Sequence, residues 1–289
     1  MKTSTEIASL SKLVGEEKAV EFIAKAGFDA WDFSMFSMAR YDWATGNVLK
    51  EDHPLSGNDY LAFARKLKKI GEDNGIHCNQ SHAPFPVYAP EIRAYLKRAI
   101  ECTAEAGGKI CIIHPDNYKS PEENAEMYFE LLPFAKDCGV KIATENMWNW
   151  NSEKGHSSFA ACATPKSFCD HIKAIDDDFF VACLDIGHAE MKGSDTSAVE
   201  MIKALRESLQ ALHIHDNNKL NDSHQIPFSM DINFDEIVKA LKEIEYKGYF
   251  TLEADCYLKD YTEENAFEGV KNLAESARRL ADMFEKDKK

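Results

Sequence analysis

No stretch of the 289-residue chain approaches the roughly 20 consecutive apolar residues that cross a bilayer, so a membrane-spanning helix is excluded. The N-terminal Met-Lys-Thr-Ser-Thr-Glu lacks the basic segment followed by an apolar one that marks a secretory signal, and Glu6 stands where the apolar part would begin. A cytoplasmic location is expected. Cys-x-x-Cys is also absent. The cysteines at 78, 102, 111, 138, 162, 169, 183 and 256 are isolated and mostly sit in apolar runs such as Ile110-Cys111-Ile112-Ile113, so free buried thiols are expected in place of disulfides. Positive charge is scarce: 34 Lys and Arg against 49 Asp and Glu leave a formal charge of −15. Nucleic-acid affinity depends largely on neutralising phosphates, so this balance argues against a polyanionic partner. The Lys-rich C-terminal end reads as a solvated helix terminus. No linker, low-complexity segment or composition break divides the chain, and residues 1–289 are expected to form a single domain.

What is present is alternation. Amphipathic stretches ending in a glycine are followed repeatedly by short apolar runs that stop at polar residues, the pattern of βα units around a parallel sheet. Strands are predicted near 2–7, 28–34, 76–82, 108–114, 140–146, 179–186, 210–216 and 248–254. Helices are predicted near 15–26, 57–74, 90–106, 121–137, 165–175, 196–207, 234–245 and 264–285. Glycines at 27, 75, 108, 139 and 248 mark turns from helix into strand, and Pro90, Pro121 and Pro165 mark helix starts, where a missing N–H does no harm. The expected fold is α/β, a single (β/α)8 TIM barrel. Two longer connections, 35–56 and 147–164, follow the second and fifth strands. Their aromatic residues, Phe36, Tyr41, Trp43, Trp148 and Trp150 among them, together with Met35, could stack on a sugar, close a lid or simply pack the loop onto the barrel.

The ends of these strands carry the chemistry. Ala143-Thr144-Glu145-Asn146 closes the fifth strand with a carboxylate, Cys183-Leu184-Asp185-Ile186-Gly187-His188 closes the sixth with an Asp and a following His, Leu212-His213 closes the seventh and Thr251-Leu252-Glu253 the eighth. Any one of these could be a helix cap or the partner of a nearby Lys. Together, at one mouth of a barrel, they would repel one another without a cation. Three carboxylates and an imidazole, with no thiolate, suit one divalent ion of the Mn²⁺, Mg²⁺, Co²⁺ or Zn²⁺ kind.

Ser81-His82-Ala83-Pro84, Ile113-His114-Pro115, Thr144-Glu145-Asn146, Asp185-Ile186-Gly187-His188, His213-Ile214-His215-Asp216-Asn217 and Gly248 to Glu253 together resemble the xylose isomerase-like TIM-barrel superfamily, which includes ketose 3-epimerases, other sugar isomerases and endonuclease IV. The resemblance implies that Glu145, Asp185, His213 and Glu253 bind the metal, manganese among the candidates, and that Glu145 and Glu253 exchange a substrate proton through a metal-stabilised enediolate, in a divalent-metal-dependent sugar isomerase or epimerase of carbohydrate metabolism. His188, His82, His114, Lys219 and Trp148 would contact a small-molecule sugar. Lys219 stands where epimerases are similar in carrying an Arg, and Asn151 replaces a family glutamate.

The main alternative is an endonuclease IV-like three-zinc enzyme, in which His82, His114, Asp222 and His224 would hold further metals. Asp222 and His224 are therefore additional metal candidates. Ser223, where the endonuclease motif carries an Arg, and the acidic charge stand against it. A non-catalytic sugar-binding subunit would not need the opposed Glu145 and Glu253. His215 is expected on the opposite side of its strand from His213, packed or in an outer layer. No phosphate-binding glycine motif stands out in the last two βα loops, which favours an unphosphorylated sugar. Barrels of this type often associate, so a homo-oligomer is compatible with this reading.

Overall fold

The apolar runs are short strands buried on both faces, because helices cover the sheet outside and side chains fill it inside. The computed structural model describes residues 1–49 and 51–286; Lys50 and the last three residues of the Lys-rich end, 287–289, lie outside the described residues. In chain order the first half comprises β1 (Thr3–Thr5), α1 (Ala8–Val14), α2 (Glu16–Ala26), β2 (Ala30–Ser34), β3 (Arg40–Asp42), β4 (Asn47–Leu49), α3 (Tyr60–Asp73), β5 (His77–His82), α4 (Pro90–Arg93), α5 (Leu96–Ala106), β6 (Ile110–Ile112) and α6 (Pro121–Cys138). The second half comprises β7 (Lys141–Glu145), β8 (Asn149–Asn151), β9 (His156–Ser158), α7 (Pro165–Ile175), β10 (Phe180–Asp185), α8 (Ile186–Glu190), α9 (Ala198–Leu205), β11 (Leu209–His213), α10 (Phe234–Glu243), β12 (Phe250–Leu252) and α11 (Ala266–Glu285).

Eight of the strands close a ring. β2, β5, β6, β7, β10 and β11 pair in that order, all parallel, and β1 pairs in parallel with β12. Parallel bridges Glu6 to Asp32 and Ile214 to Leu252 join the two sheets into a (β/α)8 TIM barrel. All eight strands lie at the predicted runs, with β11 starting one residue early. The helical pattern differs in three places. The stretch 90–106 breaks into α4 and α5, an extra helix α1 precedes Gly15 (φ +79°), and α8 begins directly at the end of β10. The two long connections are ordered as antiparallel ribbons, β3 with β4 and β8 with β9, standing over the mouth of the barrel.

Local chemistry accounts for the boundaries. Ser120 and Glu123 form a reciprocal capping box around the start of α6, with Pro121 at its first position. Gly107 ends α5 in the left-handed region (φ +89°). Gly248 serves another need: a Cβ there would sit 2.2 Å from the Tyr246 hydroxyl.

The barrel interior is divided. On one side Ile112, Ala143, Val181, Cys183 and Ala211 make a small apolar plug. On the other, Ser4 donates to Asn79 at 2.6 Å, Asn79 to Thr251 at 3.1 Å, Thr251 to Gln80 at 3.2 Å, and Gln80 to Asp32 at 2.9 Å. This buried chain of hydrogen bonds ends beneath the strand-end residues described next.

Candidate metal centre and active-site cleft

Because parallel strands all end at one mouth, β7, β10 and β11 deliver Glu145, Asp185 and His213 side by side, and Glu253 follows β12 directly. One potential ligand atom from each of these four lies within 4.8 Å of those of the others. His213 Nδ1 is 3.1 Å from Glu145 Oε1 and 3.4 Å from Glu253 Oε2, while its Nε2 is 3.5 Å from Asp32 Oδ2. Asn146 clamps the neighbouring strand end: its Oδ1 accepts from the Asp185 N–H at 2.8 Å, and its side-chain amide donates to the Asp185 carbonyl at 2.9 Å.

Two further groups flank this set. His82, His114 and Glu145 form one, with His82 Nε2 2.9 Å from His114 Nε2 and His114 Nε2 3.3 Å from Glu145 Oε2. His188, His215, Asp222 and His224 form the other, with His188 Nε2 and His224 Nε2 at 3.3 and 3.2 Å from Asp222 Oδ2. The imidazoles are aimed by the backbone. Nδ1 of His82, His188 and His224 lies 2.8, 2.8 and 2.7 Å from the carbonyls of Ala83, Asn146 and Glu253, an arrangement that puts a proton on Nδ1 and turns Nε2 into the cleft.

The donor set fits a cation. Buried Glu145 Oε2, Asp185 Oδ2 and Asp222 Oδ1 have no hydrogen-bond partner among the described residues, a cost of roughly 1–3 kcal/mol or more for each that a bound cation would remove. Burial works against the Glu145 charge, but His213 and His114 hold its carboxyl well below the usual range. Burial pushes the Glu253 carboxyl well above that range, with repulsion from Glu145 adding to it. Burial and the adjacent His114 keep His82 well below an ordinary imidazole, whereas Asp185 and Asp222 overcome burial to lift His188 to about 10.

Of these residues, His82, His114, Glu145, His188, Asp222, His224 and Glu253 line a cleft of about 670 Å³, walled by aromatic residues from both ribbons and from the loops after β5 and β6. Trp148 lines it and donates from its indole N–H to Asp222 Oδ2 at 3.1 Å. Phe36 and Phe85 meet the His82 ring edge-on at 5.0 and 5.6 Å.

The family model for the xylose isomerase-like TIM barrel matches residues 20–283. The chain belongs to that family. An uncharacterized protein of Methanocaldococcus jannaschii is 28% identical over 253 residues, covering 81% of this chain and 78% of its own. Among solved structures, a D-tagatose 3-epimerase-like protein superposes with a TM-score of 0.69 at 23% identity, covering 98% of this chain and 99% of the other. D-psicose 3-epimerase from Clostridium cellulolyticum H10 gives 0.67 at 18% identity, covering 98% of each. At these identities the likeness is one of fold.

Within this xylose isomerase-like barrel, most residues singled out from sequence come together. Glu145, Asp185, His213 and Glu253 meet, and His82, His114, His188, Trp148, Asp222 and His224 line or border the same cleft. Lys219 does not join them. Its ammonium pairs with Glu190 at 3.2 Å, and the residue is not among those lining the cleft. His215 is a correction: expected on the side of the strand away from His213, its buried ring instead has Nε2 3.1 Å from Asp185 Oδ1 and stacks on His224 at 3.8 Å, which ties it into the metal-type groups. Asp32 and Asn146 were not singled out. A polar residue inside a predicted buried strand was the available signal for Asp32.

Proposed function

We propose that the chain is a divalent-metal-dependent isomerase or epimerase acting on a ketose or related polyol by proton transfer. The observation that carries this reading is the placement of Glu145 and Glu253, two carboxyls from different strand ends that both reach His213 Nδ1, at 3.1 and 3.4 Å, on the floor of one cleft. Two carboxyls facing one substrate are what a base and an acid working on it require. The ketose 3-epimerases among the structures of the same fold support the substrate class.

Glu145, Asp185, His213 and Glu253 would hold the ion, which when bound supplies a Lewis acid that polarises a ketose carbonyl. The remaining work falls to the chain. Glu145 and Glu253 stand on different strands, so one carboxylate can take a carbon-bound proton while the other returns one. His188, fixed by the Asn146 carbonyl, presents Nε2 to a substrate oxygen. Asp32 fixes the ring of His213 from below. The aromatic walls would shield the reacting carbon from solvent once a sugar fills the cleft.

A second reading is favoured by one observation: ten acidic and imidazole residues fall into three metal-type groups, two of which share Glu145, as a three-metal phosphoesterase of the endonuclease class would need. The formal charge of −15 opposes it. Elemental analysis separates the two readings, with about one divalent ion per chain for the isomerase and about three zinc ions for the endonuclease. Incubation with ketoses in D₂O tests the isomerase directly, since it must place deuterium on the carbon next to the carbonyl.

A further inference from the structure

Resting on that reading, we infer that the substrate is a neutral glycoside, a ketose-type unit bound at the metal set with a second sugar ring held by the aromatic rim. Three observations support this.

The first is charge. Among the described residues that line the cleft there is no Lys or Arg, while Glu145, Asp222, Glu253 and Asp255 are acidic. Lys219, the cation expected there from sequence, is turned to Glu190. Away from the metal set and its histidines, a phosphate would meet Asp255 and aromatic rings with no Lys or Arg to pair with, so a phosphorylated sugar is disfavoured.

The second is size. At about 30 Å³ for each water's share of liquid volume, the cleft of about 670 Å³ holds roughly twenty waters. A hexose has a dozen heavy atoms. Even if each took a whole water's space, the ring would fill only about half the cleft.

The third is the character of the unfilled half. Trp43 and Trp150 are 65% and 49% exposed and line the cleft from the two ribbons, Trp43 in the turn between β3 and β4 and Trp150 on β8. Tyr41 braces this rim, meeting Trp43 edge-on at 5.0 Å and Tyr88 at 5.9 Å. Large exposed aromatic faces grouped at the mouth of a polar site mark a binding surface. Flat aromatic rings such as Trp43, held edge-on by Tyr41, and the exposed Trp150 suit the C–H face of a pyranose.

The test is solvent-deuterium exchange into D-fructose, D-fructose 6-phosphate and three fructose disaccharides, isomaltulose, leucrose and lactulose, followed by proton NMR on the metal-loaded full chain. At least one disaccharide is expected to exchange with kcat/KM tenfold or more above fructose, and the 6-phosphate below fructose. Trp150→Ala should bring the disaccharide-to-fructose ratio toward one, and Trp150→Phe, which keeps a ring, should restore most of it. Fructose exchanging as well as every disaccharide, the 6-phosphate exchanging best, or a ratio unmoved by Trp150→Ala overturns the glycoside assignment and leaves the isomerase standing. Exchange into none of the five sugars removes the isomerase reading and this inference with it.

Discussion

His213 faces two ways: Nδ1 toward Glu145 and Glu253 in the cleft, and Nε2 toward the buried carboxylate of Asp32 at 3.5 Å. A carboxylate behind an imidazole fixes its tautomer and ring position, leaving Nδ1 bare for a cation. Asp32 is held in turn by Gln80, the last link of the hydrogen-bonded chain through the barrel interior.

Asp32→Asn should therefore weaken divalent-metal binding by about 10- to 100-fold while leaving the fold intact, because Asn keeps the shape and loses the charge that orients the ring. Metal titration of the stripped protein, with circular dichroism as the control for folding, measures this. Unchanged affinity would show that the Asp32 carboxylate does not tune His213.

Gly187 explains the Asp-Ile-Gly-His spelling of the sixth strand end. A Cβ there would lie 1.9 Å from His215 Cε1, inside the ring that contacts Asp185. Gly187→Ala is expected to push His215 aside and destabilise the chain by about 1–3 kcal/mol, as overpacking does. Thermal unfolding would reveal it as a lowered Tm, accompanied by a loss of metal affinity. A variant as stable as the parent would mean that the strand end can shift to make room.

Glu6 predicts a pH dependence away from the metal set. Burial, with repulsion from Asp255, raises its carboxyl to about 7 from 4.5. A raised folded value means that its contribution is fully present below pH 4.5 and is lost as the pH rises through 7, where the folded state must hold a buried charge. The loss is of order 3 kcal/mol by linkage. Glu6→Gln should thus be more stable than the parent at pH 8 and close to it at pH 4.5, read from urea midpoints at the two values. Equal differences at both would show that Glu6 does not titrate in this window.

Much of the site was legible because a parallel barrel aligns its strand ends: Glu145, Asp185, His213 and Glu253 lie far apart in sequence and meet only at that mouth. His215 stands two residues after His213, a spacing that strand alternation places on one face and not on opposite ones, and its Nε2 accordingly reaches Asp185. Lys219 lies beyond that strand in a loop, at φ +60°, where spacing from a motif does not fix the direction of a long side chain. The two ribbons were read only as aromatic loops, since three-residue strands leave too little periodicity to detect. The polar half of the barrel interior was hidden for another reason: Ser4, Asn79 and Thr251 are unremarkable residues until the ring closes and brings them into contact.

The central claim is proton transfer by Glu145 and Glu253, and the most direct measurement is deuterium incorporation from D₂O into a ketose by the metal-loaded parent, Glu145→Gln and Glu253→Gln. The account predicts deuterium on the carbon next to the carbonyl with the parent, and losses of about 10²- to 10⁴-fold with each variant, as for removal of a general acid or base. Exchange by the parent that both variants retain in full would contradict it.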